Sequence, residues 1–327
     1  FGKGVLQAVE NVEKIIGPAV IGTDVTDQIK IDEIMVELDG TVNKARLGAN
    51  AILGVALAAA RTGALVSGLP LYQYLRQKFF KDRGDSWLMP VPLLNVLNGG
   101  KHALGSVDLQ EFMIMPLGAS DFTECLRWSA EIYQSLKKLL LVKGLAVGVG
   151  DEGGFMPKVA TNDQMLNLLV EAVNQSGYKA GEQIGIALDP AATEIFESGE
   201  YVLKTENKKL SSLGLIGVYE EWLKSFPIVS IEDGLAEDDW INWKLMTERL
   251  GGQIQIVGDD LYVTNKKRLE QGIKEKSSNA ILIKLNQIGT LTETAEVINL
   301  ARKNDWAAVV SHRSGETNDD FIADFAV

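Results

Sequence analysis

Apolar residues recur at helical spacing through the first stretch of the chain. Val5, Val9, Val12 and Ile16 share one face before Gly17-Pro18, which is expected to break the run, and residues 49–64 read as a helix of small side chains. No strand alternation occurs there. After the charged loop 81–86 the pattern changes to short strand-like runs between helical ones, so the chain divides into residues 1–86 and 87–327. Residues 91–97 and 110–116 read as two strands whose connection is too short for a crossover helix, hence an antiparallel pair. Two long helices follow, 121–142 and 162–176, the second opened by Thr161 and Gln164 at capping-box spacing. Strands ending near Leu188, Ile231, Gly258, Ile283 and Ser311 then alternate with helices such as 240–250 and the Thr290/Glu293-capped run to Asn304. Repeating strand–helix units mean an α/β fold with a parallel sheet or barrel, seven strands of which can be counted.

Composition narrows the classes. With 327 residues and 46% apolar side chains the chain has room for about two domains and a large core. The greasiest stretch, 49–60, is too short to span a bilayer and reads as a buried helix. A net charge of -12 disfavours nucleic acid and anionic membranes, so an anionic substrate needs a local positive site. The single cysteine, Cys125, sits in a helical pattern and reads as a small buried or half-buried residue, and a cytoplasmic setting is the default. No glycine fingerprint of a dinucleotide site and no GxxxxGK[ST] occurs. Phe1 is not an initiator methionine, and residues 319–327 look like a helix still running.

Ionisable residues fall at the ends of the predicted strands: Asp189, Glu232-Asp233, Asp259-Asp260, Lys284 and His312-Arg313. In a βα barrel that is the catalytic rim. Carboxylates on three successive strands make an oxygen-rich site suited to Mg²⁺ before Zn²⁺. Strand alternation lets one member of each acidic pair face inward, and spacing alone does not choose which. A lysine beside a divalent cation has its pKa lowered and can serve as a general base. Gly150-Asp151-Glu152-Gly153-Gly154 places two acids in a flexible turn, and Asn98-Gly99-Gly100-Lys101-His102 is a glycine-bearing loop between two strands. Ser311-His312-Arg313-Ser314-Gly315-Glu316-Thr317 is expected to leave a strand and enter a helix, offering a guanidinium, a hydroxyl and N–H groups to phosphate.

Taken in order, NGGKHA, LQEFMIMP, GDEGG, SIEDGLAEDDW, VGDDLYVTN, IKLNQIGTL and SHRSGET resemble the enolase family, in its bacterial form, along the whole chain. The resemblance implies the helical part of a small α+β N-terminal domain over 1–86. Over 87–327 it implies a TIM-like barrel of ββαα(βα)₆ type lacking its eighth strand. It also implies reversible, Mg²⁺-dependent dehydration of 2-phosphoglycerate to phosphoenolpyruvate, a lyase reaction of glycolysis. Asp189, Glu232 and Asp259 match the ligands of the first of two Mg²⁺ ions. Lys284 matches the general base and Glu152 the general acid. Glu111 matches the residue that assists Glu152, His102 a loop histidine that approaches the substrate, and His312, Arg313 and Ser314 substrate and phosphate contacts. A homodimer or larger homo-oligomer is implied, with no nucleic-acid partner and no membrane insertion.

Lys101 and Leu104-Gly105 depart from the small and polar residues that usually flank the loop histidine. A barrel without its last strand has open edges, so the stretch is expected to be a fragment of a longer product, inactive by itself. Two rival readings follow. One is a binding or scaffold protein with relic catalytic residues. The other is an acid-sugar dehydratase or racemase of the same superfamily, which would carry a KxK pair at the end of an earlier strand, absent here.

Overall fold

The computed structural model describes residues 4–81, 87–103 and 105–327, with the His102 side chain also outside the description. The expected boundary loop and Leu104 therefore lie largely outside the described residues. The chain forms two compact units. One comprises Met89–Leu261 with Gly272–Ala280, and the other comprises the described residues up to Leu88 with Tyr262–Gln271 and Ile281–Val327.

The unit that begins at Met89 opens with β1 (Leu94–Asn98) and β2 (Glu111–Met115), paired antiparallel as expected, with a register shift between Asn95 and Leu97. The helices Phe122–Val142 and Asn162–Gln175 follow. Thr161 caps the second by accepting the Gln164 N–H at 3.2 Å. Their apolar faces, Ile132, Leu136 and Leu140 on one and Met165, Leu169 and Val173 on the other, are buried. Cys125 is buried against the Pro116 carbonyl, and burial raises its thiol pKa.

β3 (Gly185–Asp189) pairs antiparallel with β2, setting Asp189 opposite Glu111. A small antiparallel sheet that the pattern did not reveal comes next: β4 (Phe196–Glu197), β5 (Glu200–Leu203) and β6 (Lys208–Leu210). After the helix Ser212–Ser225, β7 (Ile228–Glu232) lies parallel to β3, and β8 (Gln255–Gly258) lies parallel to β7. The strand–helix alternation read from the sequence is thus present.

The other unit combines N-terminal helices with the last strand–helix repeats. Its first helical run does not stop at Gly17-Pro18 but continues to Val20. Residues Val12–Ile16 widen into a π-turn, with the Gly17 N–H reaching the Val12 carbonyl, so the run passes through the proline. The helix Ala49–Val66 is longer than expected, and by length and composition alone it could cross a membrane. Here its small-residue face, including Ala56, Ala60 and Gly63, is buried. A Cβ at Gly63 would stand 2.3 Å from the Tyr74 hydroxyl, which explains the glycine.

Two polar ties bind these helices to the chain's far end. Asp32 accepts the Thr292 N–H at 2.8 Å and its hydroxyl at 2.7 Å, and Lys44 pairs with Glu293 at 2.9 Å. β9 (Ala280–Ile283) precedes the capped helix Leu291–Lys303, and β10 (Ala307–Val310) follows it.

Candidate functional site

Strands β3, β7 and β8 run in the same direction, and the residues that close them carry carboxylates. Asp189, Glu232, Asp233 and Asp259 are all buried, and Asp260 is half-buried. Burial first, then the charges of Asp189, Asp259, Glu111 and Asp233, hold the Glu232 carboxyl well above the ordinary range for a glutamate. Asp233 is raised in the same way, by burial and then by Asp259, Asp189 and Asp260. These carboxyls therefore share one electrostatic environment, in which each ionised group opposes the next. A hard divalent cation fits such a donor set, because it accepts several carboxylate oxygens and reverses the local sign of charge.

The two members of the pair Glu232-Asp233 have different local roles. Asp233 has a left-handed backbone, φ 40°. Its Oδ1 accepts the Asp259 N–H at 2.9 Å and its Oδ2 the Asp260 N–H at 2.8 Å. Its own N–H donates to the Val257 carbonyl at 3.0 Å, and its carbonyl accepts from Ala192 at 3.0 Å. Asp233 thus braces the end of β8 with both oxygens. Oxygen atoms of Asp233, Asp259 and Asp260 still lie within 4.8 Å of one another, which makes them a second possible cation set containing Asp259. Asp189 is oriented by its own turn, accepting the Ala191 N–H at 2.8 Å and the Gln110 amide at 3.4 Å. In the segment after β7, Ala236 donates its N–H to the Tyr201 hydroxyl at 2.9 Å, and burial pushes this phenol up to about 12.

The turn that carries Glu152 is tied to its surroundings by hydrogen bonds and a ring contact. Gly150 donates to the Gly154 carbonyl at 2.9 Å, and the Tyr133 hydroxyl donates to the Gly153 carbonyl at 2.6 Å. The Tyr133 ring stacks on Phe155 at 4.4 Å, while Phe155 exchanges backbone bonds with Val96 (2.9 Å) and Asn98 (2.8 Å) of β1. Glu152 accepts from the Asn95 amide at 3.3 Å.

The described residues of the 99–110 loop are held from within and from outside. Gly100 donates to the Val107 carbonyl at 2.8 Å, and a Cβ at Gly99 would lie 2.3 Å from the Leu109 carbonyl oxygen, so only glycine fits. Asp108 accepts the Lys204 N–H at 2.8 Å and the Thr205 N–H at 3.1 Å, and takes the Thr205 hydroxyl as well. The backbone of His102 ends a short 3₁₀ turn, Gly100–His102. Lys101, the unusual neighbour, forms an ion pair with Glu194 just beyond Asp189.

In the other unit, Lys284 follows β9 and occupies the N-cap position of the short helix Leu285–Ile288 without a side-chain capping bond. Its N–H donates to the Thr264 hydroxyl at 2.9 Å. The Ser311 N–H donates to the Ile283 carbonyl at 3.0 Å, so Lys284 and His312 leave neighbouring strands. The motif containing His312, Arg313 and Ser314 does not enter a helix. Residues 312–320 are exposed and irregular, and the next helix is Phe321–Ala326. Glycine at 315 and successive polar side chains favour turns over a helical start.

The structure thus gathers Asp189, Glu232, Asp259 and Glu111 in one unit, with Glu152 in the same unit, while Lys284, His312, Arg313 and Ser314 belong to the other. The bracing role of Asp233 and the Thr264 hydroxyl were not anticipated. The adjacent acidic pairs were the signal for the first, and the second left none in the hydrophobic pattern. Residues 86–327 match the family described as enolase, C-terminal TIM barrel domain, and residues 1–75 match enolase, N-terminal domain.

Proposed function

Because this chain belongs to the enolase family, we propose that it is a Mg²⁺-dependent phosphopyruvate hydratase, a lyase interconverting 2-phosphoglycerate and phosphoenolpyruvate. The observation that carries the reading is the buried carboxylate group Asp189, Glu232 and Asp259 with Glu111 beside it. Asp189, Glu232 and Asp259 are the residues that would hold Mg²⁺. The commitment of both Asp233 oxygens to backbone N–H groups supports Glu232 as the ligand of its pair. When bound, Mg²⁺ supplies positive charge against the negative charge that grows on the substrate carboxylate.

In this reading the neutral amine of Lys284 takes the proton from C2, and the electrons of that C–H bond pass toward the carboxylate. Glu152 then protonates the hydroxyl on C3. The C–O bond breaks, water departs, and the C2–C3 double bond forms. Reversal adds water. Glu111 assists Glu152, and His102, His312, Arg313 and Ser314 contact substrate and its phosphate. The same reading takes two Mg²⁺ per site, a homodimer or larger homo-oligomer, a cytoplasmic setting in glycolysis, and a domain boundary between residues 86 and 87.

The test follows the ultraviolet absorbance of the enol product in wild type, Lys284→Ala and Asp259→Asn, with and without Mg²⁺. Mg²⁺-dependent conversion in the wild type alone is expected. The same assay is run on this chain and on a version with its ends extended, and no conversion in either wild type would sink the reading and favour the binding-protein alternative. To separate the two cation sets, Glu232→Gln is expected to weaken Mg²⁺ binding far more than Asp260→Asn. The reverse order would assign the set containing Asp233 and Asp260.

A further inference from the structure

Tyr262, Val263, Thr264 and Asn265 form a turn closed by the Asn265 N–H on the Tyr262 carbonyl at 2.8 Å. Both central residues have left-handed backbones, φ 45° at Val263 and 53° at Thr264. Turns of this twist are ordinarily built from Asn, Asp and Gly, because a branched Cβ crowds the backbone when φ is positive. Two β-branched residues in succession are a strained choice, and strain of this kind persists where the surroundings hold it for a purpose.

What the turn delivers is a hydroxyl. Thr264 is fully buried, and its Oγ1 accepts the Lys284 N–H at 2.9 Å while donating to the Gln287 Oε1 at 2.7 Å. Gln287 returns its backbone N–H to the Lys284 carbonyl at 3.0 Å. The peptide before Lys284 is also held on its other side, since the Ile283 carbonyl takes the Ser311 N–H at 3.0 Å. Both backbone groups of Lys284 are therefore fixed. The position at Thr264 needs a group that accepts from an N–H and donates to an amide oxygen at once, which a hydroxyl does and an aliphatic side chain does not.

We propose that Thr264 is a positioning residue for Lys284, its hydroxyl fixing the backbone from which the lysine amine reaches the C2 proton. The proposal rests on the reading of Lys284 as the base. A long side chain amplifies small errors at its root, and misplacement by about 1 Å costs on the order of 100-fold in rate.

The experiment compares wild type, Thr264→Val, Thr264→Gly, Thr264→Ser and Lys284→Ala. Four quantities are read: exchange of the C2 proton of 2-phosphoglycerate into D₂O by NMR, kcat and KM for dehydration, and the thermal midpoint. Thr264→Val keeps the shape and removes the hydroxyl. Thr264→Gly also removes it but relieves the strained φ, so the test survives if the valine variant does not fold. Both are expected to lower C2 exchange and kcat together by roughly 10- to 100-fold with KM changed less than about twofold. Thr264→Ser is expected to recover the rate. C2 exchange at wild-type speed in folded Thr264→Val or Thr264→Gly, with Lys284→Ala inactive, would overturn the proposal. So would a loss that follows only the unfolded fraction, or one that serine does not rescue. A fully active Lys284→Ala would overturn the base assignment itself.

Discussion

Removing the Asp233 carboxylate tests whether the end of β8 is braced from β7. Asp233→Ala deletes the acceptors of two N–H groups, those of Asp259 at 2.9 Å and Asp260 at 2.8 Å. A buried donor left unpaired costs about 1–3 kcal/mol, so the two together give about 2–6 kcal/mol of destabilisation. Asp233 is also a buried acid among other acids, so its removal relieves repulsion and the observed loss falls toward the lower end, about 2–4 kcal/mol. Asp233→Asn separates the contributions. Its single carbonyl oxygen serves one N–H, while its amide presents hydrogens to the other. It also carries no charge. Asparagine is therefore expected to lose about 1–3 kcal/mol, less than alanine. Denaturant unfolding supplies the stabilities, and amide exchange at Asp259 and Asp260 localises them. Protection at those two amides is expected to fall in both variants while amides in the helix Ala49–Val66 keep theirs. If Asp233→Ala is as stable as wild type, with both amides still protected, the bracing argument is wrong.

Gly99→Ala would drive a methyl to 2.3 Å from the Leu109 carbonyl oxygen, and a loss of about 1–3 kcal/mol is expected in thermal unfolding. For Asp39, burial raises the pKa, but hydrogen bonds from the Thr41 hydroxyl and the Leu47 and Thr41 N–H groups outweigh it and hold the folded value below 3.8. The stability Asp39 contributes is thus complete above 3.8 and lost as pH falls through the lower folded value, so the gap between wild type and Asp39→Ala, measured in denaturant, should narrow with acid. Mg²⁺ at about 100 times its Kd should stabilise the wild type by about 2.7 kcal/mol, and the melting shift should vanish in Asp259→Asn or with chelator. An equal shift in that variant would remove Asp259 from the cation site.

Much of the architecture was written in local pattern. The threonine caps at Thr161 and Thr290 were legible because each needs only a hydroxyl and a residue three positions on, and both bond as expected, at 3.2 Å each. The strand ends were legible because apolar runs stop where carboxylates begin. The choice within Glu232-Asp233 was not, since a left-handed φ at Asp233 interrupts the alternation that would have decided it. The small sheet β4–β6 escaped because its strands are two to four residues long, too short to display a period. Its first hairpin turns at Ser198 and Gly199, both with positive φ, a conformation that Ser-Gly only hints at. Asp108 bracing Thr205 joins residues 97 apart, a pairing that no local pattern records. The continuation through Pro18 depends on a π-turn, which repeats with neither the helical nor the strand period.

The unit holding Lys284 draws its pieces from residues before 89 and after 261, and this fixes an order of events during synthesis. Asp32 meets Thr292, 260 positions later, and Lys44 meets Glu293, 249 positions later. Ribosomes add roughly 5–20 residues per second, so the early helices emerge on the order of 10–50 s before these partners exist. In that interval the helix Ala49–Val66 can already meet Gln28 and Tyr74 but not Gly289, which packs on Ala49, while the residues of the other unit are delivered almost without interruption. The unit with the acidic cluster can therefore condense first, and the helices before residue 80 wait for their last partners.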